Sequence, residues 1–248
     1  MKTHYGLQMY SIRDLAKESM AEALKTAKSL GFKSVEFAGF FGMSAEAVSD
    51  LLSQNGLDAL STHTSLGEIK EDTISATIDF HHKIGCENLI VPSANWESEE
   101  LLKLNTDTLN LAQKILKSEG IKLHYHNHSK EFYTTSYGKI IHTELENRCL
   151  DLFFELDTFW VYNAGLDPLD LIRRLSERVD IIHLKDGVAG EDEKSAKGKA
   201  LGEGNAPVKE VRKLALELGK AIVVESETLC PTGKDEVKRC SDYLKDLE

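Results

Sequence analysis

Three of the nine histidines in this 248-residue chain stand at alternate positions in one stretch, HYHNHSKEF, as His124, His126 and His128. Three later runs repeat the arrangement with other polar residues: FFELD carries Glu155 and Asp157, IIHLKD carries His183 and Lys185, and VVESE carries Glu225 and Glu227. In an extended strand, residues i and i+2 share a face, so each run aims two polar side chains the same way. Imidazoles and carboxylates gathered in this manner can hold a divalent metal ion or move protons. A single histidine at a strand end is ordinarily a hydrogen-bonded packing residue. Four runs in series with the same pattern point to a site. His124, one step deeper, reads as a group filling the interior; His81 and His82 read as surface groups of a helix. The letters HNH occur without the ββα context that the nuclease motif of that name needs.

The elements that would position these groups show in five stretches, KSLGFKSVEF, SQNGLDALSTH, HKIGCENLIVP, KSEGIKLHYHNH and LELGKAIVVESE. In each, an amphipathic run ends at a glycine (Gly31, Gly56, Gly85, Gly120, Gly219) and a short apolar, β-rich run follows. Glycine best adopts the left-handed conformation that closes a helix. Further strands, without that helix-closing glycine, are expected at YGLQM (5 to 9), DLFFELD (151 to 157) and DIIHLKD (180 to 186). Ser44 is placed as the N-cap of one helix and Pro168 in the first turn of another. Eight strands then alternate with about eight helices. Runs such as NLIV and AIVV are apolar on both faces, as parallel strands covered by helices are. The economical reading is α/β: one closed (βα)8 TIM barrel over residues 1–248. An open doubly wound sheet is disfavoured because no GxGxxG turn follows the first strand. In such a barrel, catalytic groups gather at the carboxyl ends of the strands. The glycine-rich stretch at 187 to 207 reads as a functional loop that orders over bound substrate.

A formal charge of −11 argues against duplex nucleic acid as partner, since phosphate binding needs clustered Lys and Arg. No segment reaches the roughly 20 apolar residues that span a bilayer, and MKTHYGLQMYSIRD lacks a signal-peptide core, so a cytoplasmic protein with no membrane partner is expected. Cys86, Cys149, Cys230 and Cys240 have no CxxC spacing and read as reduced, structural thiols.

In order and spacing, GLQMYSIRD, VEFAGF, LSTHTSL, YHNHSKEF, ELDTFWV, IIHLKD, LGEG and VVESE resemble the xylose isomerase-like TIM-barrel superfamily. That sugar phosphate isomerase/epimerase group also includes inosose dehydratases, hydroxypyruvate isomerases and endonuclease IV. The resemblance runs through nearly the whole chain. It implies one divalent ion held by His126, Asp157, His183 and Glu225, where much of the family has Glu, Asp, His and Glu. Two imidazoles with two carboxylates favour Mn, Fe, Co or Zn over Mg. It further implies a small sugar or polyol substrate. Glu225, or Glu155 behind it, is placed as general base, with His128 and Lys185 donating to developing oxyanions. Gln8, Glu36, His63, His128, Lys185 and Glu227 are the expected substrate contacts. The expected activity is isomerase or epimerase chemistry through an enediolate; β-elimination by a lyase is the alternative. Because a metal-tied imidazole cannot act as a base, His126 in place of the strand-five glutamate favours deprotonation from one face. A phosphodiesterase like endonuclease IV would need further metal ligands and a basic surface, and a non-catalytic sugar-binding barrel would differ only in turnover. A homo-oligomer is compatible with these features.

Overall fold

A computed structural model describes all residues, Met1–Glu248. Eight parallel strands close into a barrel: β1 (Tyr5–Gln8), β2 (Ser34–Phe37), β3 (Asp58–His63), β4 (Asn88–Val91), β5 (Lys122–His126), β6 (Phe153–Asp157), β7 (Val179–Leu184) and β10 (Ala221–Val224). Two short strands, β8 (Asp186–Val188) and β9 (Lys197–Lys199), form a separate antiparallel pair between β7 and β10. The barrel closes where β1 pairs with both β2 and β10, so no strand edge is left open. Ten α-helices pack outside, and none is long and apolar enough to cross a membrane.

The expected helix signals act where they were placed. Gly31, Gly56 and Gly85 are left-handed C-caps, with φ of +102°, +56° and +68°. Ser44 accepts from the Ala47 amide at 3.3 Å, and Pro168 opens a helix behind Asp167, which accepts from the Leu169 amide at 2.8 Å. Ile90, Ile181 and Val223 form a small apolar cluster of their own. His124 is fully buried and its Nε2 lies 3.1 Å from Asn88 Oδ1. His81 departs from the expectation of a surface group: it is buried, with Nε2 2.6 Å from Thr62 Oγ1 and Nδ1 2.7 Å from the Thr77 carbonyl. It ties its helix to β3. Cys86, Cys149 and Cys240 are buried free thiols, whereas Cys230 is exposed.

The 187 to 207 segment is more structured than a loop. The Asp186 carboxylate accepts from the amides of Gly187 (2.8 Å), Gly202 (2.8 Å), Gly204 (3.0 Å) and Ala206 (3.2 Å). Two of its glycines serve close packing: a Cβ on Gly187 would lie 2.5 Å from the Phe159 ring, and one on Gly204 2.2 Å from Asp186 Oδ1. Exposed residues run from Val188 through the apex at 189 to 196 to Gly202, Glu203 and Asn205, while Gly187, Ala200 and Leu201 are buried.

Candidate active site

Alternation along the strands aims polar side chains at the barrel axis, and their position along each strand sets their depth. The deeper layer joins Gln8 (β1), Glu36 (β2), Ser61 and His63 (β3), Glu155 (β6) and His183 (β7). Glu36 is fully buried and accepts from Gln8 Nε2 (2.5 Å), Ser61 Oγ (2.5 Å) and His183 Nε2 (2.6 Å), with His63 Nε2 at 3.1 Å. Glu155, also fully buried, has His63 Nε2 at 2.9 Å and both His126 Nδ1 and His183 Nε2 at 3.2 Å. Burial alone would push the Glu36 carboxyl up, but His63 and His183 outweigh it and hold the group well below the ordinary range. Glu155 goes the other way, raised by burial and by the charge of Glu36. Burial opposes a charge on His63, yet Glu36 and Glu155 raise it to about 10.

The upper layer holds His126 at the end of β5, Asp157 at the end of β6, Lys185 just past β7 and Glu225 just past β10, all buried. Asp157 caps the following helix, its Oδ1 accepting from the Trp160 amide at 2.9 Å. Its Oδ2 has no hydrogen-bond partner; Lys185 Nζ lies 3.4 Å away and His183 Nδ1 4.0 Å. Glu225 Oε2 accepts from His183 Nδ1 and from Lys185 Nζ, each at 3.2 Å. Lys185 also donates to Glu227 and lies 4.7 Å from the centre of the Trp160 ring. Burial would lower the Lys185 ammonium, but Glu225, Asp157 and Glu227 raise it above the ordinary lysine range. The Glu225 carboxyl, which burial alone would raise, is held well below its usual range by Lys185 and His183. Burial pushes Asp157 up to about 7 against the opposing pull of Lys185.

The ligand atoms of His126, Asp157, His183 and Glu225 lie within 4.8 Å of one another. These residues fit a divalent ion on three counts. A buried carboxylate oxygen without a partner is costly, and Asp157 Oδ2 is one. The His126 ring is held neutral by burial and by His183, and the neutral nitrogen is the form that binds metal. His183 donates from Nε2 to Glu36, as a ligating histidine does to the carboxylate behind it; its Nδ1, which otherwise donates to Glu225, would give up that proton to bind an ion. A second group, His63, His126, Glu155 and His183, is equally close, but it sits in the deeper layer and is already knit by its own hydrogen bonds.

Of the expected substrate contacts, His63 (side chain 12% exposed) and Glu227 (31%) reach toward solvent. His128 stands at the rim with its ring 4.9 Å from that of His126; burial, then Lys185, keeps it neutral, at about 3. Gln8 and Glu36 lie beneath the mouth with their hydrogen bonds spent on each other and on neighbouring side chains. Glu36 braces His63 and His183, and Gln8 braces Glu36. Two residues escaped the sequence reading. Trp160 walls the mouth beside Lys185 and His128; its only signal was its place three residues after Asp157. Glu131 is fully buried and accepts from the Tyr125 hydroxyl (3.1 Å) and the His128 amide (2.8 Å), a capping box visible as the spacing from His128 to Glu131.

Fold and site together define a (βα)8 barrel whose polar centre lies at the carboxyl ends of its strands. The chain belongs to the xylose isomerase-like TIM-barrel family, whose model matches residues 24–247. It is 25% identical over 215 residues to an inosose dehydratase of Geobacillus kaustophilus, which covers 73% of this chain, while the chain spans 64% of that relative's length. An inosose dehydratase of Clostridium beijerinckii is 25% identical over 211 residues, covering 75% of this chain and 70% of the relative. A solved sugar phosphate isomerase/epimerase of Parabacteroides distasonis superposes with a TM-score of 0.83 at 25% identity, covering 98% of this chain and 97% of that one.

Proposed function

We propose that this chain is a divalent-metal-dependent enzyme of the sugar isomerase/epimerase type that removes a proton from the carbon beside the carbonyl of a keto or aldehydo sugar. The observation that carries this reading is the buried quartet of His126, Asp157, His183 and Glu225, with the unpartnered Asp157 Oδ2 inside it. A divalent ion held by those four would act as a Lewis acid on a carbonyl and its neighbouring hydroxyl, making the C–H between them more acidic. The hydrogen bonds of Glu225 run through Oε2, which leaves Oε1 as the atom to take the proton. Lys185, a buried cation steadied by three carboxylates, and the neutral His128 would donate to the enediolate oxygens. Return of the proton to the adjacent carbon, with the hydroxyl proton passing to the former carbonyl oxygen, completes an isomerisation.

The likeness to inosose dehydratases supports a second outcome of the same first step. The electron pair of the broken C–H bond then forms a C=C bond, and a β-substituent leaves with its C–O pair, taking a proton from His128 or Lys185. Both outcomes need a base on one face only, which suits a histidine at position 126. The test is exchange in D₂O followed by NMR, on keto sugars, keto-glycosides and inososes, with and without EDTA. Wild type should exchange one C–H and form isomer or elimination product with little epimer, and His126→Glu, if it retains metal, should gain epimerisation. Exchange indifferent to EDTA, or predominant epimerisation by wild type, would contradict the reading.

A further inference from the structure

Beside the mouth, the segments following β1 and β2 enclose a cavity of 270 Å³ lined by Met9, Tyr10, Arg13, Lys17, Gly39 and Phe41 among others. Its aromatic wall is built in an unusual way. Phe40 packs inward, with ring centres 5.1 Å from Phe37 and 4.3 Å from Phe80, and anchors the turn. Phe41 is turned outward and is 53% exposed. Its backbone is left-handed, φ +51°, between Gly39 at +89° and Gly42 at +78°. A bulky residue rarely adopts that conformation, and strain of this kind concentrates at ligand clamps. Tyr10, 43% exposed, lines the same cavity and has the Arg13 guanidinium 4.1 Å from its ring centre.

The cavity is wired to the active site. Gln8, which donates to Glu36, accepts from the Tyr10 amide at 2.9 Å. Arg13 Nη2 donates at 2.8 Å to the carbonyl of Glu227, whose carboxylate meets Lys185. Arg13 Nη1 donates to the Tyr10 carbonyl, also at 2.8 Å. With one N–H of each terminal nitrogen engaged and the guanidinium lying over the Tyr10 ring, Arg13 backs that ring as a floor for stacking.

We infer that this cavity is a binding subsite for a ring carried on the sugar substrate, a second pyranose or an aryl group, stacked between Tyr10 and Phe41. Both kinds of ring present a flat face of C–H or π character that two exposed aromatics recognise and a phosphate lacks. The inference rests on the reading of the barrel mouth as a sugar site, but its test needs no turnover. Calorimetric titration of the full chain, supplied with Mn²⁺, would compare methyl β-D-glucopyranoside, phenyl β-D-glucopyranoside, cellobiose and inorganic phosphate. At least one ring-bearing glycoside should bind about fivefold to tenfold more tightly than the methyl glycoside, the gain expected of one aromatic stack. Phe41→Gly, which keeps the left-handed backbone accessible, should abolish that preference and leave methyl glycoside binding unchanged. Tyr10→Ala should do the same. The subsite is overturned if the methyl glycoside binds as well as both ring-bearing ones, if no ring-bearing glycoside binds, if the preference survives both substitutions, or if phosphate is the tighter ligand. A failed D₂O exchange would sink the proposed reaction and leave this result standing.

Discussion

Asp157 and Glu131 are both pushed up to about 7 by burial, yet their surroundings differ. Asp157 has an unpartnered oxygen among metal-type donors, whereas Glu131 is satisfied by the Tyr125 hydroxyl and the His128 amide and lies outside the quartet. For Glu131 the raised value has a definite stability consequence. The folded state keeps a proton that the unfolded chain releases near its ordinary value of 4.5, so its contribution is full below that pH and is lost as pH rises through about 7. Between pH 5 and pH 8, wild type should therefore lose about 2–3 kcal/mol of unfolding free energy relative to Glu131→Gln, measured by urea titration at both values. Equal pH slopes for the two proteins would refute it. The polar faces around this site were legible, because period-two alternation puts His126 with His128 and Glu225 with Glu227 on one side. Depth was not. Alternation does not tell a residue at the mouth from one a layer below, and so Gln8 and Glu36 read as substrate contacts although both are fully buried and hydrogen-bonded to each other.

The segment from β8 to Ala206 shows the same limit for an element. Its glycines were legible, but their reason was inverted: Gly187 and Gly204 are glycines because Phe159 and Asp186 press against them. Sequence alone cannot reveal close approach between residues brought together by folding. Asp186→Ala would leave four amides without their acceptor, so limited proteolysis of the ligand-free protein should cut within 187 to 207 several-fold faster than in wild type. Gly204→Ala should act similarly, lowering stability by about 1–3 kcal/mol through overpacking. Unchanged cleavage in Asp186→Ala would show that the carboxylate does not hold the loop. A protein whose loop closes over substrate should, in addition, be protected at the 189 to 196 apex by saturating ligand.

At the scale of the molecule, the repeat of helix, glycine and apolar strand carried the fold, because each unit is built from local signals that need no knowledge of the others. Closure, which eight strands permit and do not dictate, is made by β1 pairing with both β2 and β10. What the barrel adds is convergence: side chains spread from position 8 to position 227 meet at one end of the strands, and the four residues that could hold a metal come from the ends of β5, β6, β7 and β10. The proposed chemistry requires that quartet to hold an ion. Elemental analysis of purified wild type and Asp157→Ala, with turnover measured on the same samples, tests it most directly. One divalent ion per chain in wild type, with metal and activity lost together in the variant, is the predicted result; full metal content in Asp157→Ala, or wild-type turnover undiminished after the metal is stripped, would contradict it.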